Sequence, residues 1–140
     1  MFSRTRLGSQ YVSWSSDQGE TWTPAQPSDL KSPLSPASIK RIPSTGDLLV
    51  VWNDHSQVPE ATRRAGLRTP FTAAISKDEG KTWIMRRNIY DDPQGWYCYT
   101  AVEFVGDRVF LGLNAGGGSL ATLSRTQIVH FPVEWLYSSR

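Results

Sequence analysis

The stretch ISKDEGKTW, residues 75–83, closes an apolar run and ends on tryptophan, and WSSDQGETW, residues 14–22, repeats it 61 residues earlier. Both copies fit Ser-x-Asp-x-Gly-x-Thr-Trp: Ser15, Asp17, Gly19, Thr21 and Trp22 in the first, Ser76, Asp78, Gly80, Thr82 and Trp83 in the second. Each residue type suits a tight turn. The carboxylate can accept from N–H groups of its own loop, glycine takes the left-handed conformation that a β-carbon would strain, and tryptophan covers the hairpin base. Asp17 and Asp78 could instead serve as catalytic acids or calcium ligands, but a carboxylate tied to its own loop is badly placed for either. The repeat therefore reads as scaffolding.

Outward from the second copy, the periodicity is short and two-fold, with Val, Ile, Tyr, Trp and Thr runs separated by Gly, Asp, Pro and Ser. ASIKRI reads as a strand, PSTGD as a turn and LLVVWN as a buried strand; a polar loop runs from Asp54 to Leu67, and FTAAIS, the turn KDEG and the strand TWIMR follow. The pattern restarts with YTAVEFV, the turn at Gly106 and Asp107, RVFLGLN, a connection through Gly116, Gly117 and Gly118, and TQIVHF. Ahead of the complete unit stand SQYVSWS and TWTPA. The expectation is all-β: the end of one unit over 1–27, a complete four-stranded unit over 35–90 and a final one over 97–133. Four-stranded antiparallel units in series are the signature of a β-propeller of four to eight blades or so, and about two and a half blades are visible, with two copies of the turn. The alternative is a small sandwich of about ten strands.

The 140 residues are 39% hydrophobic and 11% aromatic, enough for a real core. A net charge of +2 with scattered signs gives nucleic-acid or anionic-membrane binding no compositional support. Cys98 is the single cysteine, so no internal disulfide forms. No run approaches a membrane span of roughly 18 to 20 residues, and the N-terminus lacks the apolar stretch of a secretory signal, leaving the compartment open. No cofactor is expected: the glycine triplet lacks the lysine and helix of a phosphate loop, and His55 and His130, 75 residues apart, have no ligand cluster for a metal.

Strand direction places the chemistry. If the repeated turn lies at the bottom of a disc, the loop between strands two and three and the starts of strands three and one lie on top, where a rigid scaffold usually carries its site. Arg4 and Arg68 stand 11 and 8 residues ahead of Ser15 and Ser76, and Tyr99 opens a first strand. Two guanidinium groups and a phenol thus converge on one rim. Taken singly, such an arginine is most often solvated and such a tyrosine most often packs.

The segments GSQYVSWSSDQGETW, RTPFTAAISKDEGKTW and GWYCYTAVEFVGDRVFLGLN resemble the C-terminal blades of exo-α-sialidases and sialidase-like hydrolases, and the repeated octapeptide resembles their Asp-box, or bacterial neuraminidase repeat. The likeness covers nearly the whole chain. It implies a six-bladed propeller and retaining hydrolysis of a terminal sialic acid or similar acidic sugar from a glycoconjugate, with three arginines on the substrate carboxylate, a tyrosine nucleophile assisted by a glutamate, and an aspartate acid/base. Arg4 in SRTRLG then stands for the second arginine, Arg68 in LRTPF for the third, and Tyr99 in YCYTAV for the nucleophile, with Tyr97, on the same face by strand alternation, its nearest competitor. The residue types suit the substrate. Guanidinium forks grip a carboxylate bidentately, and a neutral phenol avoids the repulsion that a carboxylate nucleophile would meet.

The glutamate, the first arginine and the acid/base aspartate are expected ahead of Arg4, so the chain is expected to be the C-terminal part of a larger enzyme, inactive alone and in need of missing blades or self-association. Arg41, in KRIP, echoes the first-arginine motif but stands out of order and reads as the blade repeat. Glu60 and Glu103 read as solvated, Asp91 and Asp92 as turn formers before Pro93, and Trp96 either lines a sugar site or packs. Two rival readings are a non-catalytic Asp-box propeller that binds carbohydrate or protein, and a hydrolase for a different acidic sugar.

Overall fold

A computed structural model describes residues 1–63 and 66–138, so positions 64 and 65 of the expected polar loop lie outside the described residues. The described chain is all-β. Its strands are β1 (Phe2–Ser3), β2 (Ser9–Val12), β3 (Gln26–Lys31), β4 (Ser38–Arg41), β5 (Leu48–Asn53), β6 (Phe71–Ser76), β7 (Ile84–Tyr90), β8 (Gly95–Val105), β9 (Arg108–Gly117) and β10 (Leu120–Pro132). They form three antiparallel sheets in chain order, β1-β2-β3, β4-β5-β6-β7 and β8-β9-β10.

The middle sheet is covered on both faces, which is why β5 and β6 read as nearly continuous apolar runs. Val50 pairs with Ala74, and these two join Trp52, Leu30 and Trp83 in a core shared with the first sheet. Their neighbours Leu49, Val51, Ala73 and Ile75 point the other way, into a core with Val109, Leu111, Leu113 and Ala115 of β9. Period-two alternation thus feeds two cores from one strand pair. Phe2 reaches across from β1 to meet the buried Trp83 ring edge-on at 6.0 Å. On the other side, Ser38 Oγ donates to Thr100 O at 2.5 Å and Lys40 Nζ to Val102 O at 3.1 Å, holding β4 beside β8.

The two repeated turns have one hydrogen-bond pattern. Ser15 Oγ donates to Asp17 Oδ1 at 2.7 Å and accepts from Gly19 N at 2.8 Å, while Thr21 N and Oγ1 donate to the two Asp17 oxygens at 2.9 and 2.5 Å. In the second turn Ser76, Asp78, Gly80 and Thr82 repeat these bonds at 2.7, 2.8, 2.9 and 2.6 Å. Gly19 and Gly80 have φ of 98° and 86°, the left-handed region that glycine enters without strain. The hydroxyl and N–H of Thr82 hold the Asp78 carboxyl down to about 2, and those of Thr21 lower Asp17 further.

Those bonds also correct two strand expectations. TWTPA, residues 21–25, is not a strand; the strand after the first turn is Gln26–Lys31. Thr21 N is taken by Asp17, Thr23 N donates to Trp14 O at 2.9 Å, and Pro24 has no N–H to offer a ladder. Likewise β7 starts at Ile84 because Thr82 N belongs to Asp78.

Candidate functional site

Asn53 ends β5, residues 67–70 lead into β6, Gly95 opens β8, and the loop 4–8 precedes β2. Hydrogen bonds bring the first three segments together. The buried Asn53 Nδ2 donates to Arg68 O at 2.7 Å and to Tyr97 O at 3.2 Å, and Tyr97 N donates back to Arg68 O at 3.2 Å. Thr69 Oγ1 ties the same segment to Asp92 O at 2.8 Å.

This anchoring fixes Arg68, which is only 9% exposed. Its guanidinium carbon lies 5.1 Å from the Trp96 ring centroid and 5.8 Å from that of Tyr99, so one cation faces two aromatic rings. Arg68 Nε and Nη1 are buried without a hydrogen-bond partner among the described residues. Buried donors in that condition are rare, and those of a permanent cation are the costliest to leave unmade. Arg4 is exposed on the 4–8 loop. Burial pushes the Cys98 thiol up to about 11, and the charges of Arg68 and Arg4 both act against that shift.

Tyr97 and Tyr99 prove to be different kinds of residue. Tyr97 is buried, stacked on Tyr90 at 4.8 Å and near Phe71 at 5.9 Å, and burial raises its phenol pKa. Tyr99 is 50% exposed beside Arg68. The expectation that the two share a face fails because the β8–β9 register shifts between Cys98 and Ala101, giving β8 one extra residue there, and Tyr99 itself has a φ of +51°. Such a bulge re-aims a side chain, and a tyrosine held at positive φ is strained.

The remaining candidates sit elsewhere. Arg41 pairs with Glu79 beside the second repeated turn at 2.6 Å, and Glu103 pairs with Lys40 at 2.7 Å. Asp92 Oδ1 accepts from Gln94 N at 2.9 Å in a turn, and Glu60 opens a short exposed 3-10 helix, Glu60–Thr62. Trp96 resolves to the arginine's partner rather than core. Asn53 was not among the candidates. Its signal was a carboxamide ending the apolar run LLVVWN, a position where only a buried hydrogen-bonding task would retain it.

Antiparallel sheets in series, punctuated by two copies of one Ser–Asp–Gly–Thr turn, define a β-sheet repeat protein, and an arginine with two buried donors unpartnered among the described residues stands beside an exposed tyrosine at its strand ends. The model of the BNR repeat-like domain matches residues 1–111, and the chain belongs to that family. None of the curated proteins matches it.

Proposed function

We propose that the chain forms part of a six-bladed propeller of the exo-α-sialidase-like kind, its three sheets being blades and its repeated turns Asp-boxes, and that Arg68 and Arg4 bind the carboxylate of an acidic sugar. The observation that carries this reading is the Arg68 guanidinium, buried with two unpartnered N–H-bearing nitrogens against Trp96 and Tyr99. A carboxylate supplies acceptors that these guanidinium donors lack among the described residues, and aromatic faces suit the apolar side of a sugar ring.

In this reading the Tyr99 oxygen attacks the anomeric carbon, giving its proton to a carboxylate base, while the bond to the leaving-group oxygen breaks as a second carboxyl protonates that oxygen. Water then hydrolyses the tyrosyl–sugar bond, with retention. The resemblance assigns both carboxyls to segments ahead of Arg4, on further blades. Support for further blades comes from the two tryptophans of the repeated turns: Trp83 is 4% exposed under Phe2 of the preceding sheet, whereas Trp22, at the same place in the first sheet, is 46% exposed. A preceding sheet, or another copy of the chain, would cover it.

The test is hydrolysis of a fluorogenic sialoside by the propeller completed with such sheets, beside its Tyr99→Phe variant. Turnover abolished by the substitution supports the nucleophile. Unchanged turnover removes Tyr99 from that role, and sugar binding without any turnover makes the protein a carbohydrate-binding propeller.

A further inference from the structure

A second cationic cavity uses none of the side chains of the Arg68 site. It has a volume of ≈ 180 Å³, and Arg6, Arg63, His55 and Ser32 line it. Local chain geometry sets those groups. Gly8, with a φ of +81°, closes the 4–8 loop, and its carbonyl accepts from Ser32 N at 3.0 Å. Thr5 Oγ1 donates to Ser9 O at 2.8 Å and accepts from Leu7 N at 3.1 Å, bracing the loop around Arg6. Arg63 Nε donates to Val58 O at 2.9 Å, which leaves its terminal nitrogens without a partner among the described residues. Ser32 Oγ accepts from Gln10 Nε2 at 2.9 Å, so its own proton is available to a ligand.

The charge in this cavity is not balanced from within. Among the described residues, no carboxylate lines it. The nearest in sequence, Asp54, is engaged by Arg86 Nη1 at 3.3 Å and by Ser56 N at 2.8 Å. His55 is 3% exposed, and its Nε2 is buried with no hydrogen-bond partner among the described residues. Two guanidinium groups and a spare hydroxyl proton around one small cavity form a donor set suited to an oxyanion. The same two segments build both sites. The 4–8 loop carries Arg4 as well as Arg6, and the main chain of Leu67 and Thr69, on either side of Arg68, offers hydrogen-bond partners to the His55 ring.

We propose that this cavity is an oxyanion subsite that takes a sulfate or carboxylate group on the sugar adjoining the one held at Arg68; the oxyanion site stands on its own geometry, and its assignment to a sugar chain rests on the reading above. An acidic glycan would then be gripped at two points, and the second point would select for chains bearing a second negative group.

The experiment is an NMR titration of the full chain with sodium sulfate at constant ionic strength, followed by 6-sulfo-N-acetylglucosamine and its unsulfated parent. Saturable shifts are expected at Gly8, Ser32 and His55 with both sulfate compounds and not with the parent sugar. Arg6→Gln and Arg63→Gln, two exposed positions checked for folding by circular dichroism, should each weaken sulfate binding by roughly tenfold or more while leaving acidic-sugar shifts at Trp96 and Tyr99 in place. Shifts that fail to saturate, or that survive both substitutions, overturn the site. Binding of inorganic sulfate without the sulfated sugar overturns its assignment to a glycan. Sulfate binding here with no acidic-sugar response at Trp96 and Tyr99 leaves this site standing and removes the reading of Arg68.

Discussion

Asn53 Nδ2 donates to the main-chain carbonyls of both Arg68 and Tyr97, at 2.7 and 3.2 Å, so one buried carboxamide aligns the arginine segment with the strand that carries Tyr99. Asn53→Ala leaves the two segments joined by the single bond from Tyr97 N to Arg68 O and removes the side-chain donor to Tyr97 O. The expected cost is about 1–3 kcal/mol in urea unfolding, with weaker acidic-sugar binding as the guanidinium loses its fixed position. A variant of parent stability and affinity would show that Asn53 positions nothing.

Arg68→Lys keeps the charge and loses the fork. A lysine ammonium is a compact point charge that cannot reproduce paired N–H donation from a buried position between two rings. Acidic-sugar affinity should fall roughly tenfold or more, with Arg68→Ala no more than modestly worse. Calorimetric titration of the two variants reads the difference directly, and full retention in the lysine variant would mean that charge alone does the binding.

The Asp78 carboxyl titrates near 2, below the ordinary 3.8, because Thr82 and Ser76 donate to its charged form. A folded value below the unfolded one means the contribution is present above about pH 4 and is lost as pH falls towards 2. Asp17 is depressed further by Thr21 and Ser15 and acts with the same sign. The melting temperature of the parent should therefore decline with acidification across that window. The Asp17→Asn, Asp78→Asn double variant should start lower at neutral pH and decline less. Equal slopes would remove the carboxylates as the fasteners of these turns.

Trp83 and Trp22 hold equivalent places in the two turns and should respond differently. Trp83→Ala empties a site buried against Phe2 and should cost about 3–5 kcal/mol. Trp22→Ala removes a half-exposed ring whose Nε1 donates to Gly19 O at 2.9 Å, and should cost about 1 kcal/mol or less in the isolated chain. The Trp22 change should instead reduce self-association measured by sedimentation. Equal destabilisation by the two would contradict the idea that the Trp22 face awaits a partner sheet.

The repeated turn was legible because its chemistry is local: Ser, Asp, Gly and Thr at fixed offsets satisfy one another whatever surrounds them. The buried pair β5 and β6 was legible from LLVVWN and FTAAIS for the same kind of reason, since two covered faces leave no polar alternation. What escaped depends on contacts remote in sequence. Period-two reasoning put Tyr97 and Tyr99 on one face, and only pairing with β9 reveals the extra residue that separates them. The strand Gln26–Lys31 was displaced from TWTPA because the turn's own bonds consume the intervening N–H groups. His55 carried no motif, and its place in a cationic cavity comes from the 4–8 loop, almost 50 residues away in the chain.

The central claim is that Arg68, Trp96 and Tyr99 form one pocket for the carboxylate of a sugar. Its most direct test follows the Arg68 Nε–H resonance and the Trp96 indole while the methyl α-glycoside of sialic acid is added, then repeats the titration with the methyl ester of that sugar. Saturable shifts of both signals are expected with the free carboxylate and are lost with the ester. Equal responses to acid and ester, or none at Arg68, would contradict it.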